Sequence, residues 1–418
     1  MVFNFFNFLK KTNIDFCLMN GYKNIVAKVD VDSDIDILFK KNDFKNIQEI
    51  LMDFCHEEKL EVVQMMHHDI WAKNFFLYNS KNGEFLNLDL YAEISRKQIV
   101  YFEEDEIFNS LEQYENIPIL SPEKEFINYL IKKLDKDDFE AEHFNHLSEL
   151  YQANKILCEK ELFKFFPKKN ILIIQSFNSN NFQKIIGNRD ILIDDFYTLK
   201  SMNINRSIIN TFRSIKRIIK PTGLAISFLG PDGSGKSTVI DILMTNRLPY
   251  RRKDYFHLKP IKMNNDVITL VDDPHAEPVY SSFKSYIKLL YFIYQYNMGW
   301  IKNILKLKIK SSLIIFDRYY DDLLIDNKRY RYGGSLLLAK FARLFIPQPD
   351  IYFILTTDPK IIYNRKQEVL FEELDRQVKA YRSIADGKVY FNIDVNRTPQ
   401  EITREIILIM MEKMNERY

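Results

Sequence analysis

Leu224-Ala225-Ile226-Ser227-Phe228-Leu229 runs directly into Gly230-Pro231-Asp232-Gly233-Ser234-Gly235-Lys236-Ser237-Thr238. The first six residues form an apolar run of the length of a buried strand, and Thr238 to Leu243 opens an apolar-periodic helix. The loop between them satisfies G-x-x-x-x-G-K-S/T, the spacing that cradles phosphate. Glycines let the backbone close around an anion. From Gly233 through Ser234, Gly235, Lys236, Ser237 and Thr238 the amides then face inward at the positive end of a helix dipole. Lys236 is expected to reach the β- and γ-phosphates, and the Ser237 hydroxyl to bind Mg²⁺. The cofactors implied are ATP and Mg²⁺.

The chain has 418 residues, enough for two or three domains, and 46% hydrophobic residues, which is ordinary for a globular protein. A net charge of +2 gives no global pull toward nucleic acid. Cys17, Cys55 and Cys158 are scattered and form no CxxC pair. That pattern argues against a disulfide framework and a cysteine zinc site, and fits a cytoplasmic protein. Met1 to Leu9 reads as the start of an amphipathic helix rather than a signal peptide. Tyr286 to Phe316 is rich in Tyr, Leu and Ile, but lysines at 288, 302, 306 and 308 interrupt it below the length of a membrane span. It reads as core helices, with peripheral membrane contact as the lesser reading.

Three regions follow from the patterning. Residues 1–116 mix helices and strands, 117–218 are mainly helical, and 219–418 alternate strand and helix. Ser121-Pro122 is a helix start, and Phe126, Leu130, Ile131 and Leu134 recur at helical spacing after it. Ile171 to Ile174 reads as a strand interrupting this connector. Arg206, Arg213, Lys216, Arg217 and Lys220 read as the solvated face of a connecting helix that ends at Pro221. In the last region the expected strands are Leu224–Leu229, Asp254–Leu258, Leu313–Phe316, Ile351–Leu355 and Val389–Ile393. Thr398, Pro399 and Glu401 form a capping box for the final helix. Short apolar strands separated by helices predict a parallel sheet covered on both faces, an α/β fold that binds ligands beyond the strand C-termini.

The strand Leu313–Phe316 delivers Asp317-Arg318-Tyr319-Tyr320 to that edge. An acid there suits Mg²⁺, and an adjacent arginine suits phosphate. With these residues the C-terminal half resembles the thymidylate kinase-like branch of P-loop kinases. The matching features are the loop with Asp232 at its third position, Asp317-Arg318-Tyr319, and the Pro349-Asp350 pair before the next strand. The resemblance implies a five-stranded parallel sheet, an acceptor facing Asp232 and Arg318, and a lid bearing Arg365 and Arg376. Its Arg-Glu-Pro-Gly segment is replaced here by His257-Leu258-Lys259-Pro260, followed by Asp272-Asp273-Pro274-His275, so thymidine selectivity is not implied. Arg329-Tyr330-Arg331-Tyr332-Gly333-Gly334 has the chemistry to hold a phosphorylated or sugar-bearing acceptor, and reads equally as an exposed glycine turn.

Near the N-terminus, Asp34-Ile35-Asp36-Ile37 alternates acid and aliphatic, which puts the two carboxylates on one face of a strand. Asp89, in the alternating run Phe85 to Leu90, is a third candidate for Mg²⁺. The arrangement resembles the minimal nucleotidyltransferase fold, an α+β domain, although Tyr22 follows Gly21 where that family has Gly or Ser. His67-His68-Asp69 lies between the two acidic strands. His143 and His146 share a helix face and read as surface. Trp71 and Trp300 read as packing residues.

The expected function is an ATP- and Mg²⁺-dependent kinase acting on a small-molecule or glycan phosphate acceptor, either a nucleoside monophosphate, as the resemblance implies, or a sugar or glycan, with a second, nucleotidyltransferase-like site. The altered loop at His257-Leu258-Lys259-Pro260 and the fused N-terminal module favour the sugar or glycan acceptor, and the chain also resembles P-loop proteins found near bacterial surface-polysaccharide genes. Two competing readings are a nucleotidyltransferase regulated by its P-loop domain and a non-catalytic nucleotide switch. A homodimer is compatible with the sequence.

Overall fold

The computed structural model describes residues 1–27, 34–199, 204–261 and 277–418. They fall into two compact units, Met1–Arg213 and Ser214–Tyr418. The Asp272–His275 segment lies outside the described residues.

In the first unit, Met1 caps a helix over Val2–Lys11, as its amphipathic start predicts. The strands are β1 (Phe16–Leu18), β2 (Ile35–Phe39), β3 (Glu61–Asp69), β4 (Ala72–Asn79) and β5 (Glu84–Tyr91). A ribbon follows, β6 (Ser95–Arg96) with β7 (Ile99–Val100), and then the hairpin β8 (Glu112–Tyr114) and β9 (Ile117–Ile119). The main sheet runs β3-β4-β5-β2-β1-β9-β8. β2 and β5 pair in parallel and set Asp36 beside Asp89. Strand alternation sends Ile35 and Ile37 to the other face, where both are buried.

The helix Pro122–Lys136 begins where Ser121-Pro122 predicts it. Phe126, Leu130, Ile131 and Leu134 are fully buried and share one core with Leu38 and Tyr101 of the strand-bearing part. Ile171–Ile174 is not a strand; it lies within the helix Asn170–Asn178. Burial follows a helical period there: Ile173 and Phe177 are inside while Ile171 is exposed. A short β-branched run carries no period of its own, and the packing of a helical layer overrides its strand propensity.

The second unit holds β10 (Leu224–Leu229), β11 (Arg252–His257), β12 (Ser312–Asp317), β13 (Ile351–Thr356) and β14 (Tyr390–Asp394). All five expected strands are present, in the order β11-β12-β10-β13-β14, and every pair is parallel. β10 and β13 are buried along their whole length, as a sheet covered on both faces requires. The final helix, Pro399–Asn415, carries its capping box: the Glu401 amide donates to Thr398 Oγ1 (3.3 Å) and the Thr398 amide to Glu401 Oε2 (2.9 Å).

The aromatic stretch forms a helix over Ser282–Gly299, a π-helical turn over Trp300–Ile304 and a short helix over Leu305–Ile309. It is only half a core. Leu289, Phe292 and Tyr296 are buried, whereas Phe283, Leu290 and Tyr294 face solvent. No helix among the described residues is long and apolar enough to cross a membrane. Trp300 stacks on Phe316, and Trp71 packs against Phe44. Cys17, Cys55 and Cys158 are free and buried, and burial pushes the Cys55 and Cys158 thiols up to about 12.

Gly230 closes β10 with a φ of 138°, and a Cβ there would run into the Leu355 carbonyl of the neighbouring strand. Gly235 also has a positive φ, 86°, but open space where a Cβ would go. Gly230→Ala is therefore expected to cost about 3 kcal/mol or more in urea unfolding, and Gly235→Ala only about 1 kcal/mol.

Candidate functional site

The helix Lys236–Thr245 begins at Gly235, directly after the loop, so its free amides face the loop interior. Ser234 and Lys236 are buried, while Ser237 and Thr238 stand exposed at the mouth. Lys236 folds back on the loop. Its Nζ donates to the carbonyl oxygens of Gly230 (2.8 Å) and Pro231 (2.9 Å). Burial, and then the nearby Arg318 charge, pull the Lys236 ammonium down to about 8, against the opposing pull of Asp232 and Asp317. A phosphate entering the loop would replace the two carbonyls and favour the charged form.

Asp317 ends β12 between Phe228 and His257 on the neighbouring strands. Its Oδ2 accepts from the Tyr255 hydroxyl (3.3 Å), and its Oδ1 is buried with no hydrogen-bond partner among the described residues. An unpaired carboxylate oxygen is costly in a protein interior and is satisfied by a cation. Together with the exposed Ser237 hydroxyl, this donor set fits Mg²⁺.

Arg318 sits at the strand end in the left-handed region, with a φ of 68°. Its guanidinium is only 4% exposed and bridges two carboxylates, Asp232 from the loop and Asp322 (2.5 Å) four residues on. Burial alone would raise Asp232, but Arg318, helped by Lys236 and Arg329, holds it well below the usual carboxylate range. Asp322 is fully buried and also held low, by Arg318 and by the hydroxyls of Tyr381 and Tyr330. Tyr330 donates to its Oδ2 (2.8 Å) and Tyr381 to its Oδ1. Arg329 forms a second ion pair with Asp232.

The segment Arg365–Glu368 lies beside the loop, with the Lys366 side chain against Gly233. Arg365 itself is exposed and donates to the Val395 carbonyl (3.2 Å). Arg376 donates to both Glu373 carboxylate oxygens (2.6 and 2.8 Å) and to the Ile325 carbonyl (2.9 Å). Burial and the Asp232 carboxylate raise Glu368, the residue closing this side of the loop.

Beyond Asp232, the chain from Arg329 to Arg331 leads to a group of cations over aromatic faces. Arg331 lies over the Tyr280 ring (4.3 Å to its centroid), and Lys284 over the same ring (4.1 Å). Lys259 stands over Phe292 (4.6 Å). Lys288, over both Tyr280 and Phe292, is pulled down to about 8 by burial and by the charges of Lys259 and Arg331. Glu277 is the acid paired with Arg331. The glycine turn at Gly333 fits tightly against the Tyr280 carbonyl.

In the first unit, Asp36 and Asp89 lie in register on β2 and β5, and Asn74 on β4 is opposite Asp89. Asp36 accepts from Asn20 (2.9 Å) and pairs with Lys132 (2.8 Å). Asp89 accepts from Asn74 (2.6 Å), and Asn87 donates to Asp34. Burial and the neighbouring acids push Asp89 up to about 6; burial and Asp36 also raise Asp34. Among the described residues, no three His, Cys, Asp or Glu side chains stand as a metal-ligand group. Tyr22 starts the helix Tyr22–Ala27 and packs on Tyr114. His67, His68 and Asp69 end β3. His143 accepts from the Glu140 amide in a capping box, and His146 contacts Glu125 (3.1 Å), so that pair serves helix packing.

Asp322 is the principal site residue that sequence reasoning missed. Its spacing, four residues after Arg318 at a helix start, was the available signal.

No protein-family model matches the chain, and no curated protein matches it. Among solved structures, the thymidylate kinase of Candida albicans, described as having broad substrate specificity and a novel structural element, is 21% identical. It aligns over 47% of this chain and 94% of its own, with a TM-score of 0.36. The thymidylate kinase of Ehrlichia chaffeensis is 20% identical over 46% of this chain and 99% of its own, with a TM-score of 0.31.

Asp322→Asn should destabilise the chain by about 3 kcal/mol, because it strips a buried guanidinium of one charge partner. The folded Asp322 titrates below its ordinary range, so its contribution is full at neutral pH and is lost as pH falls below about 4. Thermal melts at pH 7 and pH 3 should therefore show the two proteins converging at the acid end.

Proposed function

We propose that the Ser214–Tyr418 unit is an ATP- and Mg²⁺-dependent kinase of the thymidylate kinase-like type. The observation that carries this reading is the phosphate loop joined through Asp232 and Arg318 to the strand end at Asp317. Loop amides and Lys236 would hold the β- and γ-phosphates. Ser237 and Asp317 would hold Mg²⁺, which when bound supplies charge neutralisation on the transferred phosphoryl group. Asp232, kept ionised by Arg318 and Arg329, would orient the acceptor hydroxyl or phosphate. A loose transition state asks for positioning and electrostatic stabilisation, and Arg365, Arg376 and Lys366 are the cations available to a closing lid.

The acceptor is proposed to be anionic. Lys259, Lys288 and Arg331 lie beyond Asp232 over aromatic faces, a combination that suits a phosphate carried next to a flat ring. A nucleoside monophosphate has both features, and a phosphorylated sugar has the first. The register of Asp36 with Asp89 supports a second, nucleotidyltransferase-like site in the Met1–Arg213 unit. Asp34, Asp36 and Asp89 do not stand as a metal-ligand group as they are, and would hold Mg²⁺ only after their contacts to Lys132, Asn20, Asn74 and Asn87 are exchanged for it.

Labelled ATP with a panel of nucleoside monophosphates, sugar phosphates and free sugars tests the acceptor. Transfer to a phosphorylated acceptor is expected; transfer confined to neutral sugars, or hydrolysis without transfer, would contradict it. Asp34→Ala with Asp36→Ala should leave that transfer within about twofold of the parent. Lys236→Ala should weaken ATP binding at least about 100-fold, the value of about 3 kcal/mol for a charge-assisted contact to phosphate. The parent's affinity should also fall as pH rises through about 8, where Lys236 loses its proton. An affinity flat from pH 7 to 9.5 would show that Lys236 keeps its proton across that range.

A further inference from the structure

From Ile208 onward, the helix Ile204–Ile219 turns its apolar side outward. Ile208, Phe212, Ile215 and Ile219 recur at intervals of four, three and four, and Ile218 adjoins them. These five side chains are between 45% and 72% exposed. A helix of a soluble domain does the reverse and faces its apolar stripe to the core.

The opposite side is cationic. Arg213, Lys216, Arg217 and Lys220 lie across the helix from the apolar stripe, and no Asp or Glu occurs anywhere from Phe196 to Pro231. Lys216 and Lys220 are exposed. Arg217 donates to the carbonyl of Ile309 (2.9 Å), which places the exposed Lys310 next to the helix's last turn.

Charge decides between the occupants that such a face can take. A second copy packed stripe to stripe would bury the isoleucines and leave both cationic sides in water, with no acid on the helix to use them. A nucleic acid would use the cations and leave the isoleucines in water. A bilayer with anionic headgroups satisfies both sides at once, with Ile and Phe in the acyl boundary and Lys and Arg at the headgroups. At about 24 Å, the helix is long enough to lie in that interface and too short and too charged to cross it.

We propose that Ile204–Ile219 is an interfacial membrane-binding helix selective for anionic lipid. It would hold the phosphate-loop unit at the bilayer surface, since β10 opens a few residues after the helix ends.

The test is co-sedimentation of the full chain with vesicles of phosphatidylcholine mixed with phosphatidylglycerol, and with phosphatidylcholine alone. Binding is expected only to the mixed vesicles, and it should weaken as salt is raised. Phe212→Ser with Ile215→Ser should weaken it at least about tenfold. Lys216→Gln with Lys220→Gln should also weaken it about thirtyfold, at about 1 kcal/mol per cation. Both pairs alter exposed positions, so circular dichroism and melting temperature should match the parent. Equal binding to both vesicle types, no binding to either, or insensitivity to the Phe212/Ile215 change would overturn the proposal. So would a concentration-dependent dimer of the parent that the same change dissolves, since a second copy would then cover the face.

Discussion

The buried guanidinium of Arg318, held between Asp232 and Asp322, is the contact on which the rest of the second unit depends. It joins three parts of the chain: the phosphate loop, the end of β12 and the start of the following helix. A charge this deep is tolerated only when its partners are also fixed. Tyr330 and Tyr381 fix Asp322, and Arg329 fixes Asp232. The left-handed backbone at Arg318 turns the side chain back under the loop at the sheet edge where parallel sheets bind ligands. Asp232 is thereby kept ionised and aimed without any ligand.

Two other features of the site are electrostatic consequences of that arrangement. Lys236 is crowded by Arg318 and deprived of water, so it holds its proton weakly and satisfies itself on loop carbonyls. Asp317 keeps one oxygen without a partner among the described residues. A lysine with reduced affinity for its proton and an acid with an unused oxygen are both stabilised by the same event, arrival of a phosphate with its cation. The first unit has a parallel logic at lower intensity. Asp34, Asp36 and Asp89 crowd one sheet face, and Lys132, Asn20, Asn74 and Asn87 relieve the crowding.

The five strands of the second unit were legible because each is a short apolar run bounded by turn residues, and the glycine spacing of the loop fixed which of them came first. The capping box at Thr398 was legible for the same local reason. Ile171–Ile174 was misread because four β-branched and aliphatic residues look alike in a strand and in a buried helix; only the distant partners of Ile173 and Phe177 decide. Asp322 was missed because an acid in a polar run after Asp317-Arg318 reads as surface until Tyr330 and Tyr381 are brought over it from far along the chain. Arg318 was expected on phosphate, yet its fork is occupied by two carboxylates, a tertiary outcome that no local spacing encodes. The basic residues between 206 and 220 were read as a solvated face, and the isoleucines opposite them were overlooked because amphipathicity alone does not say which side is covered.

Calorimetric titration of the intact chain with ATP in the presence of Mg²⁺ tests the central claim most directly, namely that the loop from Gly233 to Thr238 closes on a metal-bound triphosphate. One saturable site is expected, with heat that disappears when Mg²⁺ is chelated or Asp317 is changed to Asn. A folded chain that gives no heat, or a binding isotherm indifferent to both Mg²⁺ and Asp317, would contradict it.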